Sequence, residues 1–177
     1  QPIKTRQETT RNNVGATMII TNTKPKPNEM ALNINNDIYR LLSGLNGVEE
    51  FKKLLLCTDF NNESPKDLSI NLIDKLIVRT PLIPNTDTSA CAITINKALF
   101  KDNSYYLQIC IDILTPLNQW LVKGGIRPLL LCNCVNDFMQ EFKQTNGVRY
   151  RLLDMSSISL GDDLKGYRLC YHPIIEK

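Results

Sequence analysis

Two aspartates and a lysine near the C-terminus have the residue types that a metal-dependent nuclease uses. Asp162, Asp163 and Lys165 follow one another closely, and Asp154 precedes them. An acidic residue two positions before a lysine is typical of the metal-binding pair of some nucleases, in which carboxylates hold a divalent cation. The same stretch, which begins with Gly161, is also typical of a turn between two strands, because Gly and Asp tolerate turn dihedrals. The pattern therefore leaves a nuclease site and an ordinary turn both open.

His172 is the single histidine of the chain, so a Ser-His-Asp or Cys-His mechanism would have to use it. The sequence contains no nucleophile-elbow motif, phosphate-binding loop, zinc-protease motif or dinucleotide-binding motif. We therefore predict a protein that is not an enzyme and has no catalytic residues, no cofactor and no metal site. His172 is expected to be an ordinary residue at the end of a strand.

The six cysteines lie mainly among Leu, Ile and Val, where a thiol behaves as a small buried hydrophobic group. Cys132 and Cys134 form only a C-x-C pair, whose spacing points the two thiols to different faces of a helix. Zinc sites use paired C-x-x-C knuckles instead. We therefore predict reduced thiols and folding in a cytosolic compartment. The cysteines are Cys57, Cys91, Cys110, Cys132, Cys134 and Cys170.

A chain of 177 residues that is 42% hydrophobic and 22% charged suits one globular domain. No apolar run approaches the ~20 residues that cross a bilayer, so we expect no membrane partner. The net charge of +3 is concentrated in residues 1–30, and residues 31–177 are neutral. A neutral body lacks the wide basic face of a dedicated nucleic-acid reader. The basic residues of the first segment are Lys4, Arg6, Arg11, Lys24 and Lys26.

Residues 1–30 are predicted to form an extended basic arm ahead of a single domain, residues 31–177. The arm is polar and contains the polyproline-like stretch Lys24 to Pro27. Its one apolar cluster is Met18, Ile19 and Ile20. Either the arm is a tail without a partner, or a neighbouring subunit orders it by accepting this cluster as a short strand or plug. The second reading makes these three residues candidate subunit contacts.

The first part of the domain is predicted to be helical. Asn35, Asn36 and Asp37 offer an N-cap to a helix from Ile38 to about Leu45, and Val48 begins a second helix that ends near Leu56. A third helix is expected after residues 64–67, where a Pro occupies the first turn. Its apolar positions recur at helical spacing and are Leu68, Leu72, Ile73 and Leu76.

Strands dominate the rest of the domain. Residues 105–114 carry apolar side chains at alternate positions, which predicts a strand with one buried face, paired in a hairpin with residues 90–96. A helix over residues 128–142 is expected to pack on the sheet, with Leu130, Cys134, Phe138 and Phe142 on one face. The fold class is therefore α+β, an antiparallel sheet with N-terminal helices and one long helix across it. The other predicted extended segments are 77–84, 148–160 and 167–175.

Trp120 and Arg127 flank the Gly124-Gly125 turn that precedes the long helix. A single large aromatic residue such as Trp120 is expected to fill a gap in the core or in a subunit contact. Arg127 begins the helix, and the positive end of the helix would repel it unless it meets a carboxylate or a phosphate. Both residues are therefore candidate partner contacts.

Residues 120–128 and 160–171, together with the strand 105–114, resemble the head-to-tail connector proteins of tailed bacteriophages. In that family, a strand with a central Cys precedes a Trp, a helix begins at a Gly-Ile-Arg-Pro-like sequence, and the last strand is of Gly-Tyr-x-Leu-x-Tyr type. The resemblance covers residues 34–177. The residues in those places are Cys110, Trp120, Gly125 to Pro128 and Gly166 to Tyr171.

The resemblance implies a structural virion protein of the phage neck, assembled in the host cytoplasm. Its copies would form a homo-oligomeric ring of about six or twelve subunits. Such a ring contacts the portal or an adjacent neck ring protein and the tail proteins, and lets genomic DNA pass without sequence recognition. A neutral body suits a channel that does not grip DNA. The abundance of Asn, Ile and Lys is typical of an AT-rich genome and would fit a crAss-like gut phage.

Two alternatives stay open. A tail terminator or tail completion protein belongs to the same structural class and would cap the tail tube. A DNA-binding protein or metal-dependent nuclease belongs to a different class, and it depends on the basic arm and on Asp162, Asp163 and Lys165.

Overall fold

Five strands form the main sheet in the order β1-β2-β3-β7-β6. The computed structural model describes residues 27–58, 67–79, 87–101 and 103–175. The strands of the sheet are β1 (Ile77–Val78), β2 (Ala90–Lys101), β3 (Ser104–Pro116), β6 (Tyr150–Leu160) and β7 (Leu164–Pro173). A separate two-stranded hairpin consists of β4 (Leu121–Val122) and β5 (Gly125–Ile126).

Pairing in the sheet is antiparallel except for β1, which runs parallel to β2. The predicted hairpin of residues 90–96 and 105–114 is confirmed, and both of its strands are longer than expected. Alternate residues of β3 from Tyr105 to Ile109 are buried as predicted, because one face of the sheet is covered by helices, whereas every residue from Ile109 to Thr115 is buried. The mixed α+β class is therefore confirmed.

Three helices cover that face: α1 (Pro27–Gly47), α2 (Glu49–Leu56) and α3 (Arg127–Glu141). The buried positions of α1 follow helical spacing and form one apolar stripe. α3 packs against β3 and β7 on one side and against α1 and α2 on the other. The core therefore lies between the sheet and the helices. The stripe of α1 consists of Ile38, Leu41, Leu42 and Leu45.

The first helix begins earlier than the sequence predicted. It starts at Pro27 and not at Ile38, so residues 27–30 belong to α1 and not to the arm. Asp37 is consequently an interior residue of the helix and not part of its cap. Its buried carboxylate accepts hydrogen bonds from the Thr145 backbone N–H (2.7 Å) and hydroxyl (2.6 Å) and from the Tyr105 hydroxyl. The Asp37 side chain, which the local sequence predicted to cap a helix, therefore binds residues that are distant in the sequence.

The prediction of a third helix over Leu68 to Leu76 is wrong. Residues 67–72 have no regular structure, and residues 74–76 form a turn that leads into β1. Side chains of the first two helices form hydrogen bonds with backbone groups of residues 68–72, and a helix would need those groups for its own hydrogen bonds. Lys52 Nζ donates to the carbonyls of Leu68 and Ile70, and Asn46 Oδ1 accepts from the Leu72 N–H at 2.9 Å.

The long helix is confirmed, with a different buried face. Its most deeply buried apolar positions include Leu131, Val135 and Met139, whereas the predicted face at Leu130, Cys134 and Phe138 is only partly buried. Phe138 lies against α1, where a Cβ atom on Gly44 would come within 2.4 Å of its ring. α3 therefore has apolar contacts on two sides, and helical spacing alone does not show which side meets the sheet.

Gly166 marks the closest approach of two strands. A Cβ atom at this position on β7 would lie 1.8 Å from the Ile113 carbonyl oxygen of β3. Only a residue without a side chain fits there at the observed spacing. The register that places Leu114 opposite Gly166 therefore depends on this glycine.

Tyr150 brings a hydroxyl into the core beside Asp37. The hydroxyl is buried and has no hydrogen-bond partner among the described residues. Burial raises the pKa of Tyr150 well above its usual value, and the nearby charges of Asp37 and Tyr105 raise that pKa further. The folded protein consequently holds this proton more tightly than the unfolded chain does.

We expect Gly166→Ala to reduce the free energy of unfolding by roughly 3 kcal/mol, because the added methyl group would have to displace backbone atoms. Gly47→Ala is the matched control. It makes the same chemical change at the end of α1, where nothing lies within 4 Å of the added atom. Urea unfolding measures both. Equal stability of the two variants would contradict the close approach.

Tyr150→Phe is expected to raise stability at neutral pH by about 1 kcal/mol, because it removes a buried hydroxyl that has no described partner. Above the ordinary tyrosine pKa of 10.0, the unfolded chain loses this proton while the folded chain keeps it, so wild-type stability falls as pH rises. In that range, the free energy of unfolding of the variant should fall more slowly than that of the wild type, by up to about 1.4 kcal/mol per pH unit. Urea unfolding from pH 7 to pH 11 tests this, with Tyr106→Phe showing the effect of losing a half-buried hydroxyl.

Candidate interaction surfaces

Arg127 is the most deeply buried charged residue that the structure describes, with 0% of its surface exposed. Its guanidinium donates to the Cys57 carbonyl and to Gln119 Oε1 at 2.9 Å. Cys57 ends α2, so the positive charge lies at the negative end of that helix dipole. The repulsion expected from the start of α3 is therefore offset by the end of α2.

The contacts of Arg127 continue through the loops on either side of it. Its backbone N–H donates to the Trp120 carbonyl at 2.8 Å, and Gln119 donates through its side-chain amide to the Asp87 carbonyl. This chain of contacts joins α2, α3 and the segment that leads into β2. The structure thus gives Arg127 an internal role in place of the partner contact that the sequence suggested.

Trp120 is half-buried between the β4–β5 hairpin and the end of the sheet. Its indole N–H donates to the Thr115 carbonyl at 3.1 Å, and its ring lies 6.3 Å from that of Tyr167. A cleft of about 290 Å³ separates it from Ser157 and Ile158 of β6. The indole therefore has internal partners and an accessible side, and its role as a subunit contact stays a prediction.

The predicted contact residues Met18, Ile19 and Ile20 lie outside the described residues.

The carboxylates that suggested a nuclease are divided between two places. Asp162 and Asp163 lie in the turn between β6 and β7, where they line a cleft of about 700 Å³ together with Asp87. Asp154 lies near the opposite end of β6. In the ranges that the structure describes, no group of three or more His, Cys, Asp or Glu side chains is arranged to hold a metal ion. The turn reading of residues 161–163 is confirmed.

Most of the thiols are buried, as the sequence predicted. Burial raises the pKa of Cys132 to about 12, and it is the largest cause of the rise in the pKa of Cys110, also to about 12. Cys110 and Cys170 face each other on β3 and β7 with their sulfur atoms 2.8 Å apart. Thiols with such high pKa values are poor nucleophiles at neutral pH.

His172 Nε2 lies 2.7 Å from Gln108 Nε2.

The strand β6 exposes large apolar side chains at the edge of the sheet. It pairs with β7 on one side, and no described residue pairs with its other side. The part from Met155 to Leu160 contains no charge, no proline and no bulge, and so lacks the features by which natural proteins protect an edge strand. We call this strand with its exposed side chains the β6 apolar edge. These are Leu152, Leu153 (57% exposed), Met155 (40%) and Leu160.

Sequence reasoning did not find the β6 apolar edge. It predicted a strand over residues 148–160 without assigning it a place in the sheet. The available signal was the pair of adjacent apolar residues Leu152 and Leu153, which suits either a strand buried on both faces or an edge that binds another chain. Only the strand order decides between these two.

A family model named YomW matches residues 49–173, which is the unit from the first residue of α2 to the last residue of β7. The chain belongs to the YomW family. This family is associated with SPbeta-type prophages, which supports the phage origin implied by the sequence resemblance. No curated protein and no solved structure matches the chain.

The YomW unit contains Arg127, Trp120, the acidic cleft and the β6 apolar edge, while α1 and the basic segment before it lie outside. Within the described residues, no helix is long and apolar enough to cross a membrane. The connector ring and the crAss-like origin stay predictions.

Arg127→Ala is expected to reduce the free energy of unfolding of this YomW-family protein by about 3 kcal/mol, because Gln119 and the Cys57 carbonyl lose a buried donor and a cavity remains. Lys123→Ala removes an exposed cation from the nearby turn and should change stability by less than about 0.5 kcal/mol. Urea unfolding followed by the fluorescence of Trp120, the single tryptophan, compares them. An unchanged midpoint for Arg127→Ala would contradict its internal role.

Proposed function

We propose that this protein is a structural protein of the phage neck, whose copies form a ring that joins the portal to the tail and lines the DNA channel. The observation that carries the proposal is the β6 apolar edge. A domain with a filled core is suited to assembly with another chain when its outer strand exposes apolar side chains and has an uncharged portion, here Met155 to Leu160. The phage association of the YomW family supports the same class of role.

The two ends of the sheet differ in a way that suits a ring. β6 is the edge strand on one side of the sheet, and the short strand β1 is the edge strand on the other side. A contact between unlike surfaces of neighbouring copies is heterologous, and repeated heterologous contacts close into a ring when the rotation between copies permits. A shared two-fold contact, by contrast, would stop at a dimer.

The charges also suit a channel lining better than a nuclease. The net charge of +3 is carried by residues 1–30, which leaves residues 31–177 neutral. Neutralising DNA phosphates requires clusters of Lys and Arg, which would hold the DNA and resist its passage. The carboxylates of the β6–β7 turn line a cleft to which no lysine or arginine among the described residues contributes.

Electron microscopy of particles from a phage that lacks this gene tests the proposal. We expect DNA-filled or leaking heads beside unattached tails, because the joint between them is missing. Complementation with the wild-type gene should restore joined virions. Normally joined particles in the absence of the gene would overturn the proposal, and tails of abnormal length on closed heads would favour a tail completion protein instead.

Complementation with Asp163→Ala separates the structural role from the nuclease alternative. The side chain of Asp163 is exposed, and the hydrogen bond that its carbonyl accepts from the Leu117 N–H at 2.9 Å does not need the carboxylate. We expect normal numbers of joined virions from this variant. Two results together would contradict the structural role: loss of infectious particles although assembly is intact, and Mg²⁺-dependent DNA cleavage by the wild-type protein but not by Asp163→Ala.

A further inference from the structure

We propose that the β6 apolar edge accepts the apolar cluster of the N-terminal segment from a second copy of this chain as an added strand. The donor is the stretch around Met18, Ile19 and Ile20. This inference rests on the proposed function and assigns one of its subunit contacts. It depends on four observations: the acceptor edge, the sequence of the donor, the place where the donor joins the fold, and the charges at both.

The acceptor can form main-chain hydrogen bonds along its free side. β6 spans Tyr150–Leu160 and ends the strand order, so the outward N–H and C=O groups of its edge meet no described strand. Strand addition satisfies such groups, and side chains at alternate positions of the added strand supply further contacts. The bulge between Leu152 and Asp154 interrupts the register at one end and leaves Met155 to Leu160 as the regular portion.

The donor has the composition of a strand. From Asn12 to Thr23 the sequence contains no charged residue and is rich in Val, Ile and Thr. β-branched residues favour strands because they pack well on a pleated surface. This stretch is the most apolar part of residues 1–26, and its uncharged length is sufficient to pair with the regular portion of β6.

The head-to-tail arrangement of the proposed ring favours a neighbouring copy as the acceptor. Ile34, Asn35 and Ile38 line a cleft with Arg79 and with residues 93–95 of β2, so this part of α1 lies over the β1–β2 side of the sheet. β6 is three strand spacings, or about 14 Å, away from β2 on the opposite side. In a head-to-tail ring, the β1–β2 side of one copy meets the β6 side of the next, which brings donor and acceptor together.

The basic flanks of the donor and the Leu160 end of the acceptor have complementary charges. Basic residues flank the apolar cluster on both sides, the nearest being Arg11 and Lys24. The β6–β7 turn beside Leu160 presents Asp162 and Asp163, and Asp87 lines the same cleft, so two carboxylates remain when Asp163 alone is replaced. Whichever direction the added strand takes, one basic flank extends past Leu160 toward these carboxylates. The attraction therefore guides the donor to the edge without fixing its direction.

Photo-crosslinking in induced phage-producing cells tests this inference with the full chain. A photoreactive amino acid replaces Ile19, and its adducts are separated on a denaturing gel and mapped by mass spectrometry. We expect an adduct of twice the 20.2 kDa mass of the chain, with the crosslink at residues 155–160 of a second copy. A crosslinker at Gln7 should not give this adduct.

Every other product contradicts the inference. An adduct of single-chain mass between position 19 and residues 155–160 would mean that each copy accepts its own segment. A crosslink to another protein or to another surface of this one, or no adduct at all, would exclude β6 as the acceptor. If the protein is present in particles and crosslinks elsewhere, the inference fails while the neck function stands, whereas absence from particles removes the neck function itself.

Met155→Lys is expected to abolish the dimer adduct, because a charge on the acceptor strand opposes pairing. Leu99→Lys is the matched control: Leu99 lies on β2 and is exposed to a similar degree, 43% against 40% for Met155. The control should keep the adduct. Ser157→Lys introduces the same charge at an exposed polar position of β6. Thermal unfolding establishes that each variant folds. An adduct that persists in both folded β6 variants would overturn the inference.

Discussion

The arrangement of helices and loops in this protein depends on one buried guanidinium. Arg127 lies where the end of α2, the start of α3 and the loop after β3 converge, and it donates to acceptors on two of them. A buried charge is stable only when hydrogen bonds and an opposing dipole replace the water it has lost. The Cys57 carbonyl at the negative end of α2 and the Gln119 side chain meet that requirement. Because both acceptors must be present, the position of α2 relative to the sheet is constrained.

The sheet is held by a second kind of constraint, the close approach of β3 and β7. Gly166 permits this approach, and the buried face of β3 depends on the resulting register. On the face away from the helices, Arg168 forms two hydrogen bonds of 2.7 Å with the Asp112 carboxylate across the same pair of strands. The pairing of the central strands β3 and β7 is thus fixed by contacts on both faces of the sheet, whereas the edge strands have no such pair of contacts among the described residues.

The outer strand β6 is the clearest departure from the rules for an isolated domain. Natural edge strands carry charges, bulges or prolines that oppose pairing, and β6 carries its bulge and its charges only toward Tyr150. An exposed apolar strand is a liability for a monomer and an asset for a protein that assembles. The phage association of the YomW family, the neutral body and the basic flanks of the apolar cluster all agree with an assembling protein.

The sequence by itself determined the elements whose signal is local. Alternation in residues 105–114 identified β3, Pro128 and the apolar spacing identified α3, and Gly161 to Asp163 identified a turn, because short-range sterics and periodicity suffice for these. Only the tertiary structure decided the rest. Residues 68–76 have helical spacing, yet side chains of α1 and α2 take their backbone groups, and Arg127 meets a helix end that is distant in sequence. The exposure of β6 depends on strand order, which is a property of the whole sheet and leaves no periodic signal in any one strand.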